Sequence, residues 1–245
     1  MTFPVQIDIF GRSIPAHPIF ELAAYVVGMQ SYLLLRRTRS QGVEAEHSLW
    51  IIVACVFGAL IGSKLLALLE SFDAYRQAAD PRALLGGKTI VGGLLGGWAG
   101  VELAKRFLGV QRRTGDAYVL PLVLGIAIGR VGCFLTGLPD HTYGIASTLP
   151  WAVDFGDGIP RHPTQLYEIS IVLLLGISIW LRSRRPYAEG ELFRWFMLGY
   201  FGYRFLVEFI KPREIRYAGL SAIQYACLVG VGASWYGLQA CRRGR

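Results

Sequence analysis

Apolar runs about 20 residues long recur along the whole chain, and each is long enough to cross a bilayer as a helix. Seven can be read, at roughly 18–35, 48–69, 89–104, 117–136, 164–181, 192–210 and 219–239. In hydrocarbon every backbone polar group must find a partner inside its own segment, and a helix does that. The pattern therefore predicts an all-α polytopic membrane protein of about seven transmembrane helices. It also predicts a single integral-membrane domain over 1–245, with no separate soluble domain. Composition agrees: only 17% of residues are charged, against about 25% in soluble domains.

The net charge of +8 is set out as a membrane protein would set it out, and no nucleic-acid partner is expected. Between the apolar runs, Lys and Arg concentrate in alternate connections. One set holds thirteen, among them Arg36, Arg37, Arg39, Lys105, Arg106, Arg112, Arg113, Arg182, Arg184, Arg185, Arg242, Arg243 and Arg245. The other holds eight: Arg12, Arg76, Arg82, Lys88, Arg161, Lys211, Arg213 and Arg216. The positive-inside bias places the N-terminus outside and the C-terminus in the cytoplasm. The start "MTFPVQIDIFGRSIPAHP" lacks a basic segment followed by a short apolar core, so it is not expected to be a cleaved signal. Cys55, Cys133, Cys227 and Cys241 form no CxxC pair, and neither a disulfide framework nor a metal site is indicated. No cofactor is expected.

The longest connection, about 137–163, is rich in Gly, Pro, Asp and aromatic residues and falls on the outer face. It is expected to lie at headgroup depth, where Trp and Tyr are favoured. In "VGGLLGGWAG", Gly92, Gly96 and Gly100 recur at steps of four, with Gly93 and Gly97 beside them. On a helix this is a smooth face for close packing. The same bare backbone would also let a lipid headgroup approach Gly92 and Gly93.

Ionisable residues inside spans are costly, and each marks a candidate site. Arg130 lies among Gly125, Gly129 and Gly132 with no acid within four residues. Its planar fork suits a phosphate. Tyr200, Arg204 and Glu208 recur at steps of four and share one helical face. Lys64 could snorkel or reach a ligand. "RHPTQLYE" opens the fifth run, and Pro163 suits a first helical turn. From there His162, Gln165, Tyr167 and Glu168 would project at headgroup depth, either as interfacial anchors or as a polar pocket wall.

"GRVGCFLTG" with its later "YG", "RHPTQLYE", and "YFGYRFLVEFIKP" with its later "SAIQ" together resemble the bacterial prolipoprotein diacylglyceryl transferases, over about 18 to 236. The resemblance implies transfer of a diacylglyceryl group from phosphatidylglycerol to the lipobox cysteine of a prolipoprotein, releasing glycerol phosphate. It implies work at the outer leaflet of the bacterial inner membrane. Arg130 would match the family's lipid-binding arginine, Arg204 a second essential arginine, and Tyr200 and Tyr25 two family tyrosines. Lys64 stands where an arginine is commoner. Three positions depart from the pattern. Val91 stands in place of a histidine before the glycine pair, Cys133 in place of an asparagine, and Leu138 in place of a glutamate. The lipid-binding half is thus kept better than the thiol-activating half. Candidate bases are Glu168, then Asp140 and His141 together, and His162. Cys133 reads either as a thiol activated by Arg130 or as an apolar filler. The alternatives are a relative that binds phospholipid without catalysis, and a transferase with a different acceptor.

Overall fold

The computed structural model describes residues 3–9, 11–38, 45–72, 87–212 and 217–243. Among these, seven long helices are found: α1 (Ala16–Thr38), α2 (Ala45–Glu70), α3 (Ile90–Phe107), α4 (Val119–Thr136), α5 (Thr164–Ser183), α6 (Glu191–Val207) and α7 (Ala222–Arg243). Each lies on one of the seven apolar runs. Two short antiparallel hairpins, which the sequence did not foretell, accompany them: β1 (Gln6–Ile9) with β2 (Arg12–Pro15), and β3 (Val153–Asp154) with β4 (Pro160–Arg161). Of the basic residues behind the orientation argument, Arg39, Arg76, Arg82, Arg213, Arg216 and Arg245 lie outside the described residues.

Among the described residues four segments are long and apolar enough to cross a membrane: Ala16–Leu35, His47–Glu70, Gly115–Thr136 and Thr164–Ser183. The others fall short for reasons visible in their residues. Helix α6 has 17 residues and carries Glu191, Arg194 and Arg204. Helix α3 ends in Glu102, Lys105 and Arg106. The distribution of polarity is inverted relative to a water-soluble protein. Leu22, Val26, Met29 and Leu33 of α1, Phe57, Leu60, Ile61 and Leu65 of α2, and Leu174, Ile177 and Trp180 of α5 are all exposed, whereas Arg130, Glu168, Arg204 and Glu208 are buried. So broad an apolar surface is stable against acyl chains and not against water.

Local sequence sets the helix ends. Pro18 and Pro121 each stand third in a helix, where the missing N–H costs no intrahelical bond. Helix α4 stops at Gly137, whose φ of 70° is open to a residue without Cβ. Asp116, in the turn Gly115–Tyr118, accepts bonds from the backbone N–H of Gly190 at 2.7 Å and Phe193 at 2.9 Å, satisfying the first turn of α6.

Helices α2 and α3 form a seam of glycine on glycine. A Cβ on Gly96 would lie 2.9 Å from Gly62 Cα and press on Gly58 O; one on Gly92 would lie 2.9 Å from Gly62 C. This is the packing use of the glycine stripe. The apolar core lies elsewhere, where Val123, Ile126, Val172, Phe196, Met197, Phe201 and Cys227 of α4 to α7 meet.

Candidate functional site

The polar centre sits between α4, α5 and α6, at the end of the bundle that carries the 137–163 connection. It is assembled from residues far apart in the chain. Arg130 comes from the last turns of α4, Glu168 from the second turn of α5, and Tyr200 and Arg204 from the last two turns of α6. Glu168 Oε2 lies 3.0 Å from Arg130 Nη2 and accepts from Arg204 Nη1 at 3.1 Å. Both guanidinium groups therefore converge on a single oxygen, within about 6 Å of each other. Tyr200 donates its hydroxyl to the other oxygen of Glu168 at 2.7 Å. Arg204 Nη2 donates to Glu208 Oε2 at 3.3 Å, so the ion pair at a spacing of four is also present. Arg130, which has no acid near it along the chain, finds one across the bundle.

Exposure decides how these pairs are read. Arg130 is 5%, Glu168 2% and Arg204 4% exposed. Salt bridges this deep recover their desolvation cost only with good geometry and further hydrogen bonds. The geometry is incomplete in one informative respect. The Nε atoms of Arg130 and Arg204, and both amide atoms of Gln165, are buried without a hydrogen-bond partner. Buried polar atoms are nearly always paired. Two N–H donors and an amide beside two cations are suited to an anion rich in acceptor oxygens.

The octapeptide and the connection before it close over this centre. Pro163 precedes α5, and its carbonyl accepts from Leu166 N–H at 3.0 Å. Thr164, buried, donates its hydroxyl to Thr142 O. Gly144 N–H bonds His162 O at 2.8 Å, and Ile145 N–H bonds Ile210 O at 2.8 Å, which ties the connection to the end of α6. At Gly144 a Cβ would fall 2.8 Å from Ile210 O and 2.7 Å from His162 Cβ, so only glycine allows this approach. His162 Nδ1 lies 3.1 Å from Tyr167 Oη, and Trp151 donates to that same hydroxyl at 2.8 Å. Arg161 is held by Asp157 at 2.6 and 2.7 Å and lies 5.1 Å over the Tyr143 ring. That pairing holds the Asp157 carboxyl below its usual range.

Other predicted residues take different partners. Tyr25 is exposed and donates to Glu21 at 2.9 Å. Lys64 donates to Gly87 O at 3.1 Å. Gly92 and Gly93 face α2, Gly92 in close contact and Gly93 where a Cβ would make only an ordinary contact, 3.8 Å from Ser63 Cβ. Asp140 accepts from Thr142. His141 is exposed, in a left-handed conformation at φ 52°.

Two residues near the centre went unrecognised as site residues in the sequence. Lys211 follows the short turn Glu208–Ile210 that ends α6. Loss of water around it, and the positive charges of Arg204 and Arg130, push its ammonium down to about 7. Its only signal is its place in "VEFIKP". His17, in the first turn of α1, lies 3.9 Å through Nδ1 from Asp140 Oδ1 and 3.8 Å through Nε2 from Glu21 Oε2. His17 and Glu21 share a helical face at a spacing of four, but nothing local in the sequence links them to Asp140.

The prolipoprotein diacylglyceryl transferase family matches the chain over residues 4–239. Relatives bearing the name phosphatidylglycerol–prolipoprotein diacylglyceryl transferase span most of it. A Methylobacillus flagellatus protein is 34% identical over 251 residues, covering 89% of this chain and 90% of its own. One from Bordetella parapertussis is 34% identical over 205 residues, covering 76% and 75%. One from Bordetella avium is 38% identical over 181 residues, covering 70% and 67%.

Proposed function

The chain belongs to the prolipoprotein diacylglyceryl transferase family, and on that premise we propose that it transfers the diacylglyceryl group of phosphatidylglycerol to the cysteine thiol of a prolipoprotein. The observation that carries this reading is the convergence of Arg130 and Arg204 on one buried carboxylate oxygen. Two guanidinium forks that close, each with an unpaired Nε–H, suit a phosphodiester better than any neutral headgroup. The donor's phosphate exchanges for part of the Glu168 contact. The acceptor sulfur attacks the glyceryl carbon, the carbon–oxygen bond breaks, and glycerol phosphate departs. The arginines stabilise the charge that grows on the leaving oxygen, a contribution of about 10²–10³-fold for one well-placed donor.

Glu168, first choice from the sequence as the base, is better suited to positioning. One oxygen is committed to two arginines and the other to Tyr200, which leaves little lone-pair density for a thiol proton. Tyr200 fixes Glu168 and Glu208 fixes Arg204, and Gln165 offers its amide to the bound headgroup. Activation of the thiol falls to the far side of Arg130, where Cys133, Asp140 and His17 lie. His162 and Tyr167 form the wall towards the 137–163 connection. Tyr25, Lys64, Gly93 and His141 would contact lipid only at the rim, and Gly92, buried against Gly62, serves the seam. The site opens to the outer leaflet of the bacterial inner membrane, with the N-terminus outside and the C-terminus in the cytoplasm. The basic asymmetry between connections supports that orientation.

A different acceptor is the second reading, favoured by Val91, buried at 1% exposure where a histidine is usual. Purified protein incubated with phosphatidylglycerol and a lipobox peptide should release glycerol phosphate and add a diacylglyceryl mass to the peptide. If the peptide stays unmodified until Val91→His is introduced, the second reading replaces the first. Lipid binding without any release of glycerol phosphate would leave a non-catalytic phospholipid-binding protein. A cysteine placed within 144–158 should react with an impermeant reagent in intact cells; reaction only after lysis would invert the topology.

A further inference from the structure

One side-chain cluster beside the arginine centre has metal-ligand chemistry. His17, Cys133 and Asp140 each offer one donor atom, and the three atoms lie within 4.8 Å of one another. They come from three separate elements: the first turn of α1, the last turns of α4 and the short turn Leu138–Asp140. The fold brings them together through the N-terminal hairpin. Val5 N–H bonds Leu135 O at 2.9 Å, and Ala16 N–H bonds Val5 O at 3.1 Å, which sets the start of α1 against the end of α4. The sequence indicated no metal site because His17 stands more than a hundred residues before Cys133 and Asp140.

We infer that His17, Cys133 and Asp140 form a binding site for a zinc-class divalent cation, with one coordination position left for an exogenous thiol. The donor set is one nitrogen, one sulfur and one carboxylate oxygen, which zinc accepts and calcium or magnesium does not. Three protein ligands with a fourth position open is the pattern of reactive rather than structural zinc sites. The outer contacts match those of a metal centre. His17 Nδ1, which faces Asp140, is buried and has no hydrogen-bond partner, and 3.9 Å is too long for one. It is near the edge of a zinc tetrahedron, about 3.3–3.8 Å from bonds of about 2.0–2.3 Å. The other ring nitrogen lies 3.8 Å from Glu21, a carboxylate placed to orient the imidazole once a metal draws the ring into position. Glu21 is itself held by Tyr25 at 2.9 Å and Lys88 at 3.0 Å. Thr142 occupies one oxygen of Asp140 and leaves the other towards His17. A thiolate, a carboxylate and a neutral imidazole cancel the charge of the dication, so the centre tolerates Arg130, whose Nη1 lies 3.8 Å from the Cys133 sulfur.

The role of the open position rests on the transferase reading. There the acceptor thiol replaces a zinc-bound water. The zinc–oxygen bond breaks, a zinc–sulfur bond forms, and the thiol proton leaves on the departing water. The sulfur is then a nucleophile beside the arginines, without the usual histidine.

The test uses the full chain in detergent, stripped with chelator and titrated with Co(II). One cobalt per chain should bind, with a thiolate-to-cobalt charge-transfer band. Cys133→Ser should abolish that band, while the combined change Cys55→Ala, Cys227→Ala and Cys241→Ala should retain it. Glu21→Gln should weaken binding by about tenfold. No stoichiometric cobalt in wild type of intact helix content, or an unchanged band in Cys133→Ser, overturns the site. A lipobox peptide should shift the cobalt spectrum, and a Cys→Ser peptide should not. An unshifted spectrum removes the open-position role alone. Cobalt binding in a protein without transfer activity would instead refute the transferase reading and leave the site standing.

Discussion

The α2–α3 seam and the α4–α5–α6 centre are held together by opposite means. Along the seam, Gly58 and Gly62 meet Gly92, Gly96 and Gly100, and backbone touches backbone with almost no side chain between. At the centre, long side chains reach across the bundle and meet through charge. The seam gains from dispersion and needs only small residues at a spacing of four. The centre bears the cost of desolvating two arginines and two glutamates. A protein bears that cost where chemistry needs it, so the pair of regions separates scaffold from site.

The largest effect should come from the centre. Arg130→Lys keeps a positive charge but loses the fork, and transfer should fall by about 10²-fold or more with lipid binding reduced less. Glu168→Gln should be worse for the fold than for chemistry. It leaves two buried cations with one acid between them, at a cost of about 3–5 kcal/mol. A Glu168→Gln protein of full thermal stability would show that the arginines are not held by that carboxylate. The reading of the centre as one unit would then fail.

A smaller, purely structural effect should come from the seam. Gly96→Ala puts a methyl against Gly58 O and 2.9 Å from Gly62 Cα, and neither can turn aside as a side chain would. Overpacking of this kind typically costs about 1–3 kcal/mol. Thermal stability in detergent should drop, while the folded fraction keeps its turnover per molecule. Lost turnover at unchanged stability would instead make Gly96 part of the lipid site and erase the contrast between the regions.

The seam was legible in the sequence and the centre only partly so, for one physical reason. A stripe at steps of four is local, and so is the face shared by Tyr200, Arg204 and Glu208. Apolar runs fix helices within a few residues: 89–104 against Ile90–Phe107, and 192–210 against Glu191–Val207 plus its closing turn. Which acid meets Arg130 depends on how α4 and α5 are rotated against each other, and no spacing encodes that. Glu168 was singled out by its motif, yet its role as a shared counter-ion follows from tertiary geometry. His17 has only Glu21, four residues on, as a local partner. Its neighbours arrive through the Gln6–Pro15 hairpin, whose strands are too short and too polar to stand out beside spans of 20 residues.

The smallest expected effect concerns the edge of the centre. Lys211 lies where burial and two arginines push its ammonium down to about 7, from an ordinary value of 10.5. Below about pH 7 it is protonated in both the folded and the unfolded chain, and the fold bears the cost of a third cation. Between about pH 7 and its ordinary value the unfolded chain holds more protons than the native one, so stability rises with pH. Binding of an anionic lipid runs the other way. A protonated Lys211 adds attraction for a phosphate, and the phosphate in turn favours the ammonium. From about pH 6 to about pH 8 the melting temperature in detergent should therefore rise, while KM for phosphatidylglycerol should increase a few-fold. Lys211→Met should flatten both trends and leave the arginine clamp in place. A methionine variant that keeps the full pH dependence of KM would move the titrating group elsewhere, and the positive field of the centre would then end at Arg204.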